Sequence, residues 1–235
     1  MNAIPSLWAV VPVKPFAQAK TRLAPVLAPA GRALLARAML EDVLAALAAS
    51  PALAGILVVT GDADAEAIAR LAGAEVLADR LNDGITAAVA AAARHLALAG
   101  CGGMLVVPAD LPLLTPEDVE LVARAHRGSP AVTMVAASND GGTNALACSP
   151  PDAMAFSYGN GSFRRHWNEA ESRGIAPRLL RLPRFGLDID RPEDLAAFMA
   201  TPTLTRSYAF LSENLHTDGA GRACGQALPQ KGISR

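Results

Sequence analysis

Three aspartates from two distant stretches carry the chemistry that this sequence offers. "VVPADLPLL" delivers Asp110 from the end of an apolar run, and "FGLDID" places Asp188 and Asp190 one residue apart. In extended backbone, residues i and i+2 face the same side, so the pair projects together. Two adjacent carboxylates repel unless a cation or proton separates them. Mg2+ takes hard oxygen ligands, typically a few carboxylates plus substrate phosphates. Asp110 completes a three-carboxylate site where its strand runs beside the pair. The structural alternative is strongest for Asp190, because "DRPE" fits a D-x-x-E capping box with proline early in the helix. The sequence thus predicts two jobs for Asp190, helix cap and metal ligand. Asp188 has no capping duty. Asp110 is surplus to its turn, because Thr115 already serves as cap candidate for the next helix.

A cationic loop, "VPVKPFAQAKTRLAP", holds Lys14, Lys20 and Arg22 just after the first apolar run. Lysine offers phosphate a point charge and arginine a bidentate grip, so the loop suits a triphosphate; the alternative is three solvated surface charges. It is neither a Walker A loop nor a GxGxxG turn, which removes support for those nucleotide folds. "GGTNAL" and "YGNGSFRRH" place Thr143, Asn144, Gly159, Gly161 and Ser162 in two Gly-rich segments before a helix start. Backbone N–H groups of that kind suit a small anion, although flexible loops have the same composition. His166 lies in the second segment and receives no catalytic assignment, since a lone helical histidine is more often structural. "DRLNDGITAAV" adds Asn82 and Gly84 at the start of another helix, where a nucleotide base or sugar fits; as a signal this is the weakest, because Asn and Gly are ordinary turn residues.

These groups need a scaffold. Apolar runs at 7–13, 55–60, 74–79, 102–109 and 131–138 read as strands. They alternate with helical patterns at 29–50, 62–73, 83–100 and 115–128. Continuous apolar strands separated by helices predict an α/β fold, a mostly parallel sheet with helices on both faces. Beyond it come a strand at 144–148, a helix at 162–173, a late strand in "PRLLRLP" and a closing helix in "RPEDLAAFMA". Ligands of such sheets bind beyond the carboxyl ends of the strands. That selects the loops 14–28, 60–64, 78–86 and 108–116, with 139–144 and 158–166 as a further wall. Residues 1–200 are expected to form one domain. Residues 201–235 form an extension, with a short helix in "TRSYAFLSENL" followed by a disordered tail.

Bulk properties narrow the class. The net charge of -1 leaves no basic footprint for nucleic acid. Cys101, Cys148 and Cys224 are widely spaced and odd in number, which supports neither a zinc site nor a disulfide framework. No leader-like or membrane-length apolar segment is present, so a soluble, cytoplasmic protein is expected.

Taken in order over about residues 7–200, "VPVKPFAQAKTRLAP", "VVPADLPLL", "GGTNAL", "YGNGSF..H" and "LDID.PEDL" resemble the CofC/FbiD guanylyltransferases of coenzyme F420 biosynthesis. The resemblance implies a nucleotidyltransferase fold, Rossmann-like and related to GT-A. It implies transfer of GMP from GTP to 2-phospho-L-lactate, phosphoenolpyruvate or 3-phospho-D-glycerate, with release of pyrophosphate. It also implies Mg2+ on Asp110, Asp188 and Asp190, the phospho acid on Thr143, Gly159 and Ser162, and the GTP phosphates near Lys14, Lys20 and Arg22. Asn144 and Gly161 are grouped with the acid, Asn82 and Gly84 with GTP, and Lys20 with the catalytic aspartates. The expected partners are GTP, the phospho acid, the next enzyme of the pathway as recipient of the product, and a second copy of the chain in a homodimer. Molybdopterin- or sugar-phosphate-type nucleotidyltransferases of the same fold stay open, although those open on a GxGxRM-like loop that is missing here. A non-catalytic nucleotide-binding protein stays open as well.

Overall fold

The computed structural model describes residues 6–137 and 141–215. The expected tail, Cys224 and the tip of the 139–144 loop at 139–140 lie outside the described residues. A seven-stranded sheet runs through the molecule in the order β3-β2-β1-β4-β6-β5-β7. The strands are β1 (Leu7–Val13), β2 (Leu53–Thr60), β3 (Glu75–Ala78), β4 (Gly103–Val106), β5 (Ala131–Ala136), β6 (Thr143–Ser149) and β7 (Arg178–Leu180). β1 pairs in parallel with β2 and β4, β2 with β3, and β5 with β7. β6 runs antiparallel to both β4 and β5. The sheet is therefore mostly parallel, with one reversed strand. The physical reason lies in the connection 137–142, which is too short for a parallel crossover and permits only a hairpin.

The helices are α1 (Pro29–Ala48), α2 (Ala63–Leu71), α3 (Ile85–Leu98), α4 (Pro116–Ala125), α5 (Ser162–Ser172), α6 (Pro183–Gly186), α7 (Pro192–Met199) and α8 (Arg206–Leu215). α6 and two 3-10 turns at Phe16–Gln18 and Thr21–Leu23 are additions to the expected elements. Strand alternation sorts the core onto both faces of the sheet. Ala9, Val11 and Val58 pack with Leu40, Val43 and Val122 of α1 and α4. Val10, Leu57 and Val59 pack with Val89, Ala92 and Ala170 of α3 and α5. Small alanine side chains on α1 and α3 let the helices lie close to the sheet.

A third apolar cluster sits beside the sheet. Leu23 of the cationic loop, Met39 of α1, Ile189, Phe198 of α7 and Leu211 of α8 are all buried in it. α8 is thereby part of the packed body, held to α1 by Asp42. The Asp42 carboxylate accepts from the backbone N–H groups of Arg206 at 2.8 Å and Ser207 at 3.0 Å, and from the Ser207 hydroxyl at 2.6 Å. Among the described residues no helix is long and apolar enough to cross a membrane.

Candidate active site

The chain leaves β1 toward β2 on one side and later returns through β4 on the other. The strand order therefore reverses at the carboxyl ends of β1 and β4, the place where open α/β sheets bind ligands. The loop after β1 carries Lys20 and the loop after β4 carries Asp110. Their side chains meet at this point, Nζ to Oδ2, at 2.5 Å. Because β6 is reversed, its first residues, Thr143 and Asn144, arrive at the same edge as the ends of β1 and β4.

Segment 187–191 lies across the same place. The Ile189 backbone N–H donates to the Asp110 carbonyl at 3.3 Å, and the Ile189 side chain is fully buried. Alternation then turns Asp188 and Asp190 the other way, into the cavity. Asp190 Oδ1 accepts from Lys20 Nζ at 2.8 Å, and its other oxygen is 3.6 Å from Arg22 Nη1. Burial opposes ionisation of Asp190, but Lys20 and Arg22 outweigh it and hold the carboxyl below its usual range. Burial likewise opposes the charge on Lys20, yet Asp110 and Asp190 raise its pKa. Lys20 adopts a left-handed backbone with φ 54°, the kind of local strain that concentrates at functional sites.

The expected capping role of Asp190 is corrected here. The N-cap of α7 lies one residue later, at Arg191, and the carboxylate that reaches back to its backbone belongs to Asp194. Asp194 Oδ2 accepts from the backbone N–H of Arg191 at 2.8 Å and of Asp190 at 3.2 Å. The Asp190 side chain turns instead toward Lys20 and Arg22.

Asp188 is in a different position. Its partner is the Asn144 amide, at 3.1 Å. Burial and the nearby Asp110 push its carboxyl up to about 6, with Asn144 only partly offsetting them. Two of the three aspartates thus share a lysine, while the third has no cationic partner among the described residues. Nor do the described residues contain a cluster of three or more His, Cys, Asp or Glu side chains assembled for a metal ion; Lys20 Nζ contacts both Asp110 and Asp190.

A cavity of about 480 Å³ opens over these groups, within the range usual for small-molecule sites. Lys14, Lys20, Arg22, Asn82, Gly84, Asp110, Thr143, Asn144, Gly159, Ser162, Asp188 and Asp190 all line it. Gly161 does not line it; it forms the left-handed residue before α5, φ 68°. Loop 60–64 also stays outside. It acts as a brace, because Asp62 caps α2 through one oxygen and accepts from the Phe16 backbone N–H, at 2.9 Å, through the other. Asn144 faces the cavity with its amide hydrogens spent on Asp188 and on the Phe185 carbonyl, at 2.8 Å. The N–H groups of Ser162 and Phe163 at the start of α5 go to the carbonyls of Gly159 and Gly141. Those two amides are therefore already satisfied within the protein.

Four further groups belong to the cavity or hold its wall. Gln18, Asp79 and Tyr158 line it, with Asn82 Nδ2 donating to Gln18 Oε1 at 3.5 Å and the Asn82 N–H to Asp79 Oδ1 at 3.0 Å. Arg165 clamps the loop that carries Tyr158 and Gly159 by donating to Ser157 Oγ and to the carbonyls of Ser157, Tyr158 and Asn160. Asp79 was legible as the last residue of an apolar run, and Arg165 as the arginine one turn into α5.

The family model described as "Guanylyl transferase CofC like" matches residues 7–218. The chain belongs to this family. Among curated relatives, a phosphoenolpyruvate guanylyltransferase of Rubrobacter xylanophilus is 40% identical over 83% of this chain and 95% of its own. A 3-phospho-D-glycerate guanylyltransferase of Phenylobacterium zucineum is 36% identical over 87% of this chain and 95% of its own. Among solved structures, a nucleotidyl transferase from Methanothermobacter superposes with a TM-score of 0.57 at 18% identity, covering 89% of this chain and 99% of that one. That likeness shows the fold, an α/β nucleotidyltransferase fold. The family's matched span includes α8, so the extension beyond residue 200 lies partly within it.

Proposed function

We propose that the protein is a Mg2+-dependent guanylyltransferase that moves GMP from GTP onto the phosphate of a three-carbon phospho acid, as in coenzyme F420 biosynthesis. Phosphoenolpyruvate, 3-phospho-D-glycerate and 2-phospho-L-lactate are the candidate acceptors. The observation that carries this reading is the single cavity in which cationic Lys14, Lys20 and Arg22, the three aspartates, and the Thr143–Ser162 hydroxyls face one another.

A phosphate oxygen of the acceptor attacks the α-phosphorus of GTP. The bond from that phosphorus to the bridging oxygen breaks, and pyrophosphate leaves with the electron pair. The attacking oxygen is already ionised, so no general base is needed, and alignment with charge cancellation supplies the rate. Lys14 and Arg22 suit the triphosphate, and Asn82, Gly84, Gln18 and Asp79 suit the nucleoside end. Thr143, Gly159 and Ser162 suit the acid. Lys20 holds Asp110 and Asp190 in place.

The donor set fits a hard divalent cation, because Asp188 is a half-buried carboxylate whose charge neither Lys20 nor Arg22 offsets. Asp110, Asp188 and Asp190 are the residues that would hold Mg2+, which would neutralise phosphate oxygens and polarise the α-phosphorus.

Pyrophosphate release measured with GTP, ATP or CTP against each acid, with Mg2+ or with EDTA, tests the reading. Turnover is expected with GTP and at least one of the three acids, and is lost in EDTA. Turnover with CTP or a sugar phosphate in their place overturns it.

A further inference from the structure

His166 on α5 is fully buried, and the cavity wall is organised around it. Its Nε2 lies 2.9 Å from the backbone nitrogen of Ser157, and its Nδ1 lies 3.0 Å from Thr143 Oγ1. Tyr158 meets the ring edge-on, with centroids 4.8 Å apart. A backbone N–H only donates, so Nε2 must be the acceptor and the ring hydrogen of neutral imidazole must sit on Nδ1. Burial, helped by Arg165, lowers the His166 pKa to about 4, which keeps the ring neutral near pH 7.

The tautomer fixes the polarity of the next two groups. Thr143 Oγ1 accepts from Nδ1–H and lies 3.2 Å from Ser162 Oγ. The two hydroxyls own two hydrogens, and the bond between them uses one. Whichever way that bond runs, the second hydrogen is free to point into the cavity that both residues line. With the opposite tautomer Thr143 would donate to Nδ1 and Ser162 would donate to Thr143. The pair would then offer only lone pairs, the wrong polarity for a carboxylate or phosphate.

We propose that His166 is a positioning residue that sets the Thr143–Ser162 pair as a hydrogen-bond donor for the anionic acceptor, without touching the acceptor itself. This rests on the reading of the cavity as a phospho-acid guanylyltransferase site. It extends the site by one residue and gives the acid a donor that does not depend on helix amides.

Two measurements test it. Long-range proton–nitrogen spectra of the 15N-histidine-labelled wild-type protein, assigned by comparison with H166Q, should show His166 as the Nδ1–H tautomer; the Nε2–H tautomer overturns the proposal. Steady-state kinetics on H166N, H166Q and T143V give the second. Asn keeps a donor near the Nδ1 position and Gln an acceptor near the Nε2 position. H166Q and T143V should each raise KM for the acid by roughly tenfold or more with KM for GTP unchanged. H166N should restore most of the loss, and H166Q combined with T143V should be no worse than T143V alone. Equal effects on both substrates, or additive effects in the double variant, overturn it. Where a His166 variant does not fold, the wild-type spectrum, assigned instead by replacing His95, His126 and His216 in turn, and T143V still decide. Absence of wild-type turnover with all three acids refutes the guanylyltransferase reading instead, a result distinct from any of these.

Discussion

Asn144 donates a 3.1 Å hydrogen bond to Asp188 Oδ1, and this amide is the polar partner that the structure gives that carboxylate. The next aspartate on the same strand-like segment, Asp190, sits against an ammonium and near a guanidinium. One residue of separation thus divides a carboxylate already neutralised from one held in reserve.

Asp188→Asn should abolish turnover and leave the fold intact. It should also change how stability depends on pH. The carboxyl of Asp188 is raised to about 6 in the folded protein, so between the ordinary carboxylate range and pH 6 the folded state binds the extra proton. The stability that this proton contributes is fully present at low pH and is lost as pH rises through about 6. Melting curves in EDTA should therefore show D188N gaining Tm over wild type at pH 7.5, with the gain shrinking toward pH 5. A constant difference across that range would contradict the environment described for Asp188.

Lys20→Met removes the ammonium that contacts both Asp110 and Asp190. Breaking a buried pair on one side costs about 3–5 kcal/mol. Both carboxylates here are partly open to solvent, at 24% and 39% exposure, so a loss of about 1–3 kcal/mol is expected. Urea unfolding measures it, and turnover should fall by at least roughly a hundredfold, the usual size for loss of a charged group in a preorganised site. A stable, active K20M would show that the aspartates tolerate one another without the lysine.

Asp194 and Asp190 should separate capping from chemistry. Asp194→Ala loses the bonds to two backbone N–H groups and should cost about 1 kcal/mol, as caps do. Its kcat should suffer only moderately. Asp190→Asn keeps the helix start and should remove most of the activity. The reverse pattern in the two variants would return the cap to Asp190.

Asp42→Ala should release α8 from α1. Three hydrogen bonds to the first turn of α8 go with it, and about 1–2 kcal/mol of stability should be lost. Hydrogen exchange is expected to accelerate first in 206–215 and only later in the sheet. Uniform acceleration would mean that α8 and the sheet open as one unit.

Much of the fold was legible because apolar runs and helical periods are local signals, and every expected strand and helix of the described region is present. The direction of β6 was not read from its apolar run, which looks the same in either sense. The brevity of 137–142 was the usable sign. At the site, Asp110 and Asp188 stood out because they lacked a structural duty, and Asp190 because it lies two residues from Asp188 and faces the same side. The capping error at Asp190 arose because "DIDRPED" offers two overlapping registers, and a lysine 170 positions away in the chain decides between them. His166 escaped assignment because its importance lies in which nitrogen carries a hydrogen, a matter settled by the backbone of Ser157 and invisible in residue order.

Leu23 and Ile189 sit in one apolar cluster with Leu211 of α8. Each is an immediate neighbour of a charged residue: Leu23 follows Arg22, and Ile189 separates Asp188 from Asp190. The cationic and anionic halves of the cavity edge therefore share a single greasy anchor on the far side of the chain. Alignment of opposite charges across the cavity becomes a property that can be tightened or loosened from α1 and α8. Leu211 of α8, unlike Met39 of α1, does not line the cavity, so it gives protein engineers a handle on heat tolerance and turnover that touches no ligand-facing atom.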